Sequence, residues 1–348
     1  WVSLRYERDL LQSVATLRER EQQESRFADE QPTVALPAMR DGNVHFCVAT
    51  IFARCRRPDI PAQAKGRIAE HDYSSPAQAF ANGQGQMAWY HQLQRQNALR
   101  LITDADTLLD HARDREDHRL GCMLMIEGAD PIVRPDQLKL WVDQGVRIVS
   151  LVHSGTNAYA HGNGGDDGPV SEAGFALLDE MKQHHVVLDV SHLGNRSFRQ
   201  AMDHFDGRVV ATHSNCRSLV PGDRQLSDEQ MLEVIERDGV IGIVGFNCFL
   251  GGDWKMKDSS QPRLPLERMA EHIDHICQLT GNAQHVAIGS DLDGGFGVSD
   301  VPAEIDTIAD LWKLTGHLRN RGYDQNDVKA ICHANWIRVY HDALNHTQ

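Results

Sequence analysis

The sequence predicts a parallel α/β fold, specifically a (β/α)8 TIM barrel. Three observations carry that prediction. Short apolar, β-branched runs alternate with longer stretches of helical period, the signature of repeated βαβ units. The runs are continuously apolar instead of alternating, so each strand is buried on both faces, as in a parallel sheet wrapped by helices. Finally, most of the runs stop at a Glu, His or Asp, and the C-terminal strand ends are where such a barrel builds its site.

The runs are residues 44–52, 122–126, 147–152, 186–190, 209–212, 240–246 and 286–289. Between them, residues 172–184 space Phe175, Leu178 and Met181 by three, as one face of a helix does. Residues 227–238 open with Ser227 and Gln230 at capping-box spacing. Residues 10–26 read as polar helix or loop. Residues 53–92, rich in Gly, Pro, Gln and Ala, read as an elaborate connection that leads into a helix near 87–99. Residues 251–265, with Gly251-Gly252, Ser259-Ser260 and two prolines, read as a long loop of the kind that shapes pockets. The apolar runs are one short of a complete barrel, and the missing strand is expected before Trp1. No repeat or linker divides the chain, so residues 1–348 read as one barrel domain.

Composition bounds the function. At 348 residues with 41% hydrophobic and 24% charged, the chain can bury one large core. Lys and Arg total 35 against 49 Asp and Glu, and the formal charge of −14 repels phosphate backbones and anionic membranes. Nucleic acid is therefore excluded as an expected partner. No run approaches the roughly 18 apolar residues of a membrane span, and no leader pattern is visible, although the chain opens on Trp1. The 7 cysteines include no Cys-x-x-Cys pair and read as mostly buried, reduced thiols of a cytoplasmic protein.

The strand ends carry the chemistry. They read Ile126-Glu127-Gly128, Leu151-Val152-His153, Asp189-Val190-Ser191-His192, Thr212-His213-Ser214-Asn215 and Gly289-Ser290-Asp291-Leu292-Asp293-Gly294. Imidazole nitrogen and carboxylate oxygen suit a catalytic zinc that keeps a position open for water. Two such ions roughly 3.5–4 Å apart can share a hydroxide and polarise a carbonyl together. Glu127, His192 and His213 fit that task. A lone His at a strand end is more often an ordinary core or surface residue, but five coincident ends are harder to dismiss. Of the 19 histidines, His184, His185, His272, His275 and His317 read as ordinary helix-surface or helix-end residues.

Taken in order, these motifs, together with Asn335-Trp336-Ile337-Arg338-Val339, resemble the signatures of the membrane (renal) dipeptidase family over about residues 36–340. The resemblance implies a zinc-dependent dipeptidase acting through a metal-bridging hydroxide. In it Glu127 would bridge two zinc ions per subunit, and His192 and His213 would hold the second. His153 would contact the scissile carbonyl oxygen. Asp291 would take a proton from the bridging water and pass it to the leaving amine. Arg224, on a loop after His213, would pair with the substrate's free carboxylate, its bland alternative being a solvated loop charge. Asp189 and Asp293 would orient the ligands, with turn formation as the competing role for Asp293. A homodimer is also implied.

One part of the family pattern is not found. The family places a His-x-Asp pair at the end of its first strand to complete the first zinc site. His204-Phe205-Asp206 and His272-Ile273-Asp274 lie in helical patterns and are rejected as that pair. Because residues 1–10 resemble the segment just after the pair in bacterial relatives, the pair is expected just before Trp1. The alternatives are another amidohydrolase activity, on a cyclic amide, lactone or N-acyl amino acid, and a non-catalytic ligand-binding barrel. Arg224 separates dipeptides and N-acyl amino acids from cyclic amides and lactones, since only a substrate with a free carboxylate needs it. Residues 156–168 and 248–264 are the expected specificity loops.

Overall fold

A computed structural model describes residues 2–24, 30–55, 72–114, 116–256 and 260–345. Its strands are β1 (Phe46–Ile51), β2 (Leu99–Leu101), β3 (Leu120–Glu127), β4 (Val146–Ser150), β5 (Val187–Asp189), β6 (Val209–Val210), β7 (Ile241–Ile243) and β8 (Val286–Ile288). All of their ladder pairings are parallel. The main path is β1-β3-β4-β5-β6, and an isolated parallel bridge from Ala211 to Ile241 carries it on to the β7-β8 pair. Long helices alternate with these strands, including Pro76–Arg95, Glu172–Gln183, Asn195–His204, Asp228–Glu236 and Glu267–Thr280.

The seven expected strands are all present, most of them a residue or two shorter. The sequence does not reveal β2. Its three residues are too few to show a periodicity, and Arg100 interrupts the apolar pattern. It pairs with the start of β3, Leu99 opposite Leu120, whereas β4 takes the same side of β3 from Leu124 onward. β2 therefore lies off the main path, and among the described residues β1 and β8 do not pair with each other. The helix expected near 87–99 is also corrected: it runs Pro76–Arg95, capped by the Ser75 side chain, and Leu99 already belongs to a strand. Residues 56–71 of that connection lie outside the described residues. The capping box at Ser227 and Gln230 is formed.

Strand alternation sets up the site. Met123 and Met125 of β3, Ile148 of β4, Val187 of β5, Val210 of β6 and Ala287 of β8 share one apolar cluster with Tyr340 and Leu344 of the helix Asn335–Leu344. Side chains two apart on a strand face the same way. The next residues in these rows are Glu127, Ser150 and Asp189, so the face that is apolar below becomes polar at the C-terminal end. The motif at 335–339 holds β8 in this arrangement. Asn335 Nδ2 donates to the carbonyls of Ala283 (2.7 Å) and Val286 (2.8 Å), and Trp336 Nε1 donates to Ile288 O at 2.9 Å.

The outer core packs the helices onto the sheet. Trp141 is fully buried, meets the Phe80 ring edge-on at 5.7 Å, and leaves no room for a Cβ at Gly83, which would lie 2.9 Å from its ring. Trp141→Ala is expected to destabilise the fold by about 3–5 kcal/mol, read as a lower midpoint in denaturant unfolding. The described cysteines are free thiols, of which Cys122, Cys216 and Cys277 are buried. Among the described residues no helix is long and apolar enough to cross a membrane.

Candidate active site

Four of the expected site residues lie three positions past a strand: His153 after β4, His192 after β5, His213 after β6 and Asp291 after β8. Glu127 is the last residue of β3. The structure brings Glu127, His192 and His213 together. Glu127 Oε1 is 3.1 Å from His213 Nε2 and 3.3 Å from His192 Nε2, and the two Nε2 atoms are 2.9 Å apart. Among the described residues this is the one group of three or more side chains whose ligand atoms could hold a metal ion. His204 and His272 are not part of it.

The other ring nitrogens of the two histidines are engaged. His213 Nδ1 is 2.7 Å from Thr212 Oγ1, whose hydroxyl donates to Asp189 Oδ2 at 2.6 Å. That hydroxyl proton being committed, Thr212 Oγ1 accepts from His213 Nδ1–H. Asp189 is held in turn by the backbone N–H groups of Ser191 and Thr212. His192 Nδ1 lies 2.9 Å from Asn163 Oδ1, an amide oxygen that can only accept. A neutral ring at either position therefore carries its proton on Nδ1 and turns an Nε2 lone pair toward the other ring and toward the carboxylate. Such a set calls for positive charge in its midst. Burial pushes the Glu127 carboxyl upward, but His213, His192 and His153 outweigh it and hold it well below the usual range. Burial lowers His213, yet Glu127 reverses that and raises it. The donor set fits a zinc ion, with two imidazoles and one carboxylate leaving a position open.

His153 is close but separate. Its Nε2 is 3.8 Å from Glu127 Oε1, and its ring sits 4.0 Å from that of His192, with the edge of Phe52 at 4.9 Å. Burial, opposed by Glu127, lowers its pKa to about 3, so the imidazole is neutral.

Asp291 is partly exposed and adopts a left-handed backbone (φ 55°), as does His192 (φ 72°). That conformation is uncommon for residues other than glycine, though Asp and His adopt it more readily than most. Gly294 permits the Asp291 turn, because a Cβ there would lie 2.1 Å from Asp291 Oδ1. Loss of solvent pushes the Asp291 carboxyl up to about 7, with His213 and Arg224 pulling down and Glu127 pushing up.

Arg224 is 9% exposed, so the solvated-charge alternative does not describe it. Its Nη1 donates to Ser214 Oγ at 3.1 Å and its Nη2 to His213 O at 2.6 Å, while its Cζ lies 5.1 Å from the centre of the Phe249 ring. Its buried Nε–H has no hydrogen-bond partner among the described residues. Two side chains behave differently from expectation. Asp293 does not orient the cluster, because it accepts from Thr33 N (2.8 Å), Thr33 Oγ1 (2.7 Å) and Val34 N (3.2 Å), clamping the N-terminal segment over β8. His272 is not a surface residue: it is 1% exposed, and its Nδ1 accepts from Cys216 N. Sequence reasoning missed Thr212 and Asn163, the immediate partners of the two imidazoles.

A barrel-type α/β fold that gathers a carboxylate and two imidazoles at its strand ends is the arrangement found in the class of metal-dependent hydrolases. Within that class the chain belongs to the membrane dipeptidase family, peptidase family M19, whose model matches residues 8–348. A protein of Klebsiella pneumoniae described by its place in the pqqA 5' region is 33% identical over 238 residues, covering 66% of this chain and 84% of that protein. A Schizosaccharomyces pombe protein described as an uncharacterized dipeptidase is 27% identical over 64% of this chain, and the dipeptidase aclJ of Aspergillus oryzae is 28% identical over 64%. The chain spans about half the length of those two fungal proteins, 53% and 52%. Among solved structures, a dipeptidase described as a metallo peptidase of family M19 superposes with a TM-score of 0.77 at 23% identity, covering 95% of this chain and 96% of its own. A metallo peptidase from Rhodobacter sphaeroides, liganded with a phosphinate mimic of the dipeptide L-Ala-D-Ala, gives a TM-score of 0.74 at 24% identity over 95% and 96%.

Proposed function

We propose that the protein hydrolyses dipeptides bearing a free C-terminal carboxylate, with Glu127, His192 and His213 as ligands of a catalytic zinc. The observation that carries the substrate class is the buried Arg224 guanidinium beside this cluster, with its Nε–H unpaired among the described residues. A planar guanidinium edge matches a carboxylate in shape and charge. Zinc, when bound, supplies a water of lowered pKa and polarises the scissile carbonyl. The resemblance calls for a second ion; no His-x-Asp pair joins the cluster among the described residues.

The chain's own residues do the rest. Arg224 binds the carboxylate and so sets the distance from the chain terminus to the scissile bond. His153, neutral, donates a hydrogen bond to the carbonyl oxygen, and such a bond strengthens as negative charge develops there. The Asp291 carboxylate takes a proton from the attacking water and delivers it to the leaving amine nitrogen. The Rhodobacter neighbour, bound to a dipeptide mimic, supports the substrate class.

The test is removal and restoration of metal. Chelator-treated protein is expected to lose hydrolysis of dipeptides and to regain it with added zinc, whereas His213→Ala is expected not to bind zinc tightly enough to regain it. Hydrolysis that persists without metal, or a preference for lactones or cyclic amides over dipeptides, overturns this reading.

A further inference from the structure

We propose that Asn163 is a positioning residue of the metal centre, which fixes His192 as a ligand and sits on a strap joining His153, His192 and the Arg224 turn. This rests on the reading of Glu127, His192 and His213 as metal ligands. Asn163 is 9% exposed. It grips His192 twice: its Oδ1 accepts from Nδ1–H at 2.9 Å, and its backbone N–H donates to His192 O at 2.8 Å. The second bond supports a residue whose backbone is left-handed, at φ 72°. The first selects the tautomer. An acceptor at Nδ1 keeps the proton there and leaves Nε2 free to bind metal.

The strap threads between the two histidine loops with no room to spare. A Cβ at Gly162 would lie 1.9 Å from His153 O and 3.0 Å from His192 O, so glycine is the residue that passes. Gly162 also bridges to Leu193, next to His192. On the other side, Gly164 N donates to Asp223 Oδ2 at 2.7 Å, tying the strap to the residue before Arg224. The two imidazoles are supported unequally. His213 leans through Thr212 on the buried carboxylate of Asp189, while His192 leans on a single neutral amide. Loss of the Asn163 oxygen therefore removes the acceptor that holds the His192 ring and its tautomer.

The experiment measures zinc affinity of the full chain by chelator competition, with the melting temperature of the zinc-free protein as a control on folding. Asn163→Leu, of similar size but with no acceptor, is expected to weaken zinc binding by roughly 10–100-fold, and Asn163→Asp, which keeps the acceptor, is expected to bind at least as tightly as the wild type. If the Leu variant does not fold, Asn163→Ser, polar but too short to reach Nδ1, carries the same expected loss. Wild-type zinc affinity in a folded Leu or Ser variant overturns the proposal. His192→Ala separates this from failure of the metal reading: if it too binds zinc normally, the ligand assignment is wrong, and if it loses zinc while the Asn163 variants do not, only the role of Asn163 is wrong.

Discussion

Asp291→Asn is expected to retain its zinc and to lose about 10²–10⁴-fold in kcat, the range typical for removing a general acid/base. The reason lies in what the carboxyl can do where it sits. It stands three residues beyond β8 in a turn that Gly294 makes possible, outside the group of three ligand atoms, so its replacement should leave the metal in place. Loss of solvent raises its pKa to about 7, so it can take up a proton and release it near neutrality. Asparagine has nearly the same shape but cannot act as an acid or a base near neutrality. Zinc content is read by metal analysis, and turnover on a free dipeptide. A variant with unchanged kcat removes Asp291 from proton transfer, and a variant that loses zinc makes it a ligand instead.

The sequence made the chemistry at the strand ends legible for a physical reason. An apolar run buried on both faces has no use for Glu or His, so a run that stops at Glu127, His153, His192 or His213 marks where the strand leaves the core. The same logic fails for β2, whose Leu99-Arg100-Leu101 is too short to show a run. It fails in the opposite sense for His272. That residue sits on the buried face of its helix between Met269 and Ile276, a spacing visible in the sequence, but its polar side chain suggests exposure. Asn163 and Thr212 are not legible because their roles depend on which loops meet. Asn163 is 29 residues from the ring it orients, and no period connects a loop residue to a strand end so far along the chain.

Arg224→Met is expected to hurt free dipeptides selectively, lowering their kcat/KM by roughly 10–100-fold, which corresponds to the about 1.5–3 kcal/mol of a charged hydrogen bond. C-terminal amides of the same dipeptides should already be poor substrates of the wild type, and the substitution should change them little. The argument turns on burial. The guanidinium keeps two of its bonds to the fold, Ser214 Oγ and His213 O, and packs over Phe249, so it is held in place before substrate arrives. Its Nε–H is buried and unpaired among the described residues, and a buried charge short of partners retains a desolvation penalty that an incoming carboxylate relieves. An amide brings no charge and relieves little of it. Methionine fills similar volume without the fork, so the methionine protein should treat acid and amide nearly alike. The measurement is kcat/KM for both substrates in both proteins, with zinc content held equal. Equal losses on acid and amide would show that Arg224 supports the His213 loop without reading the carboxylate, and hydrolysis of cyclic amides or lactones would then become the stronger account of the site.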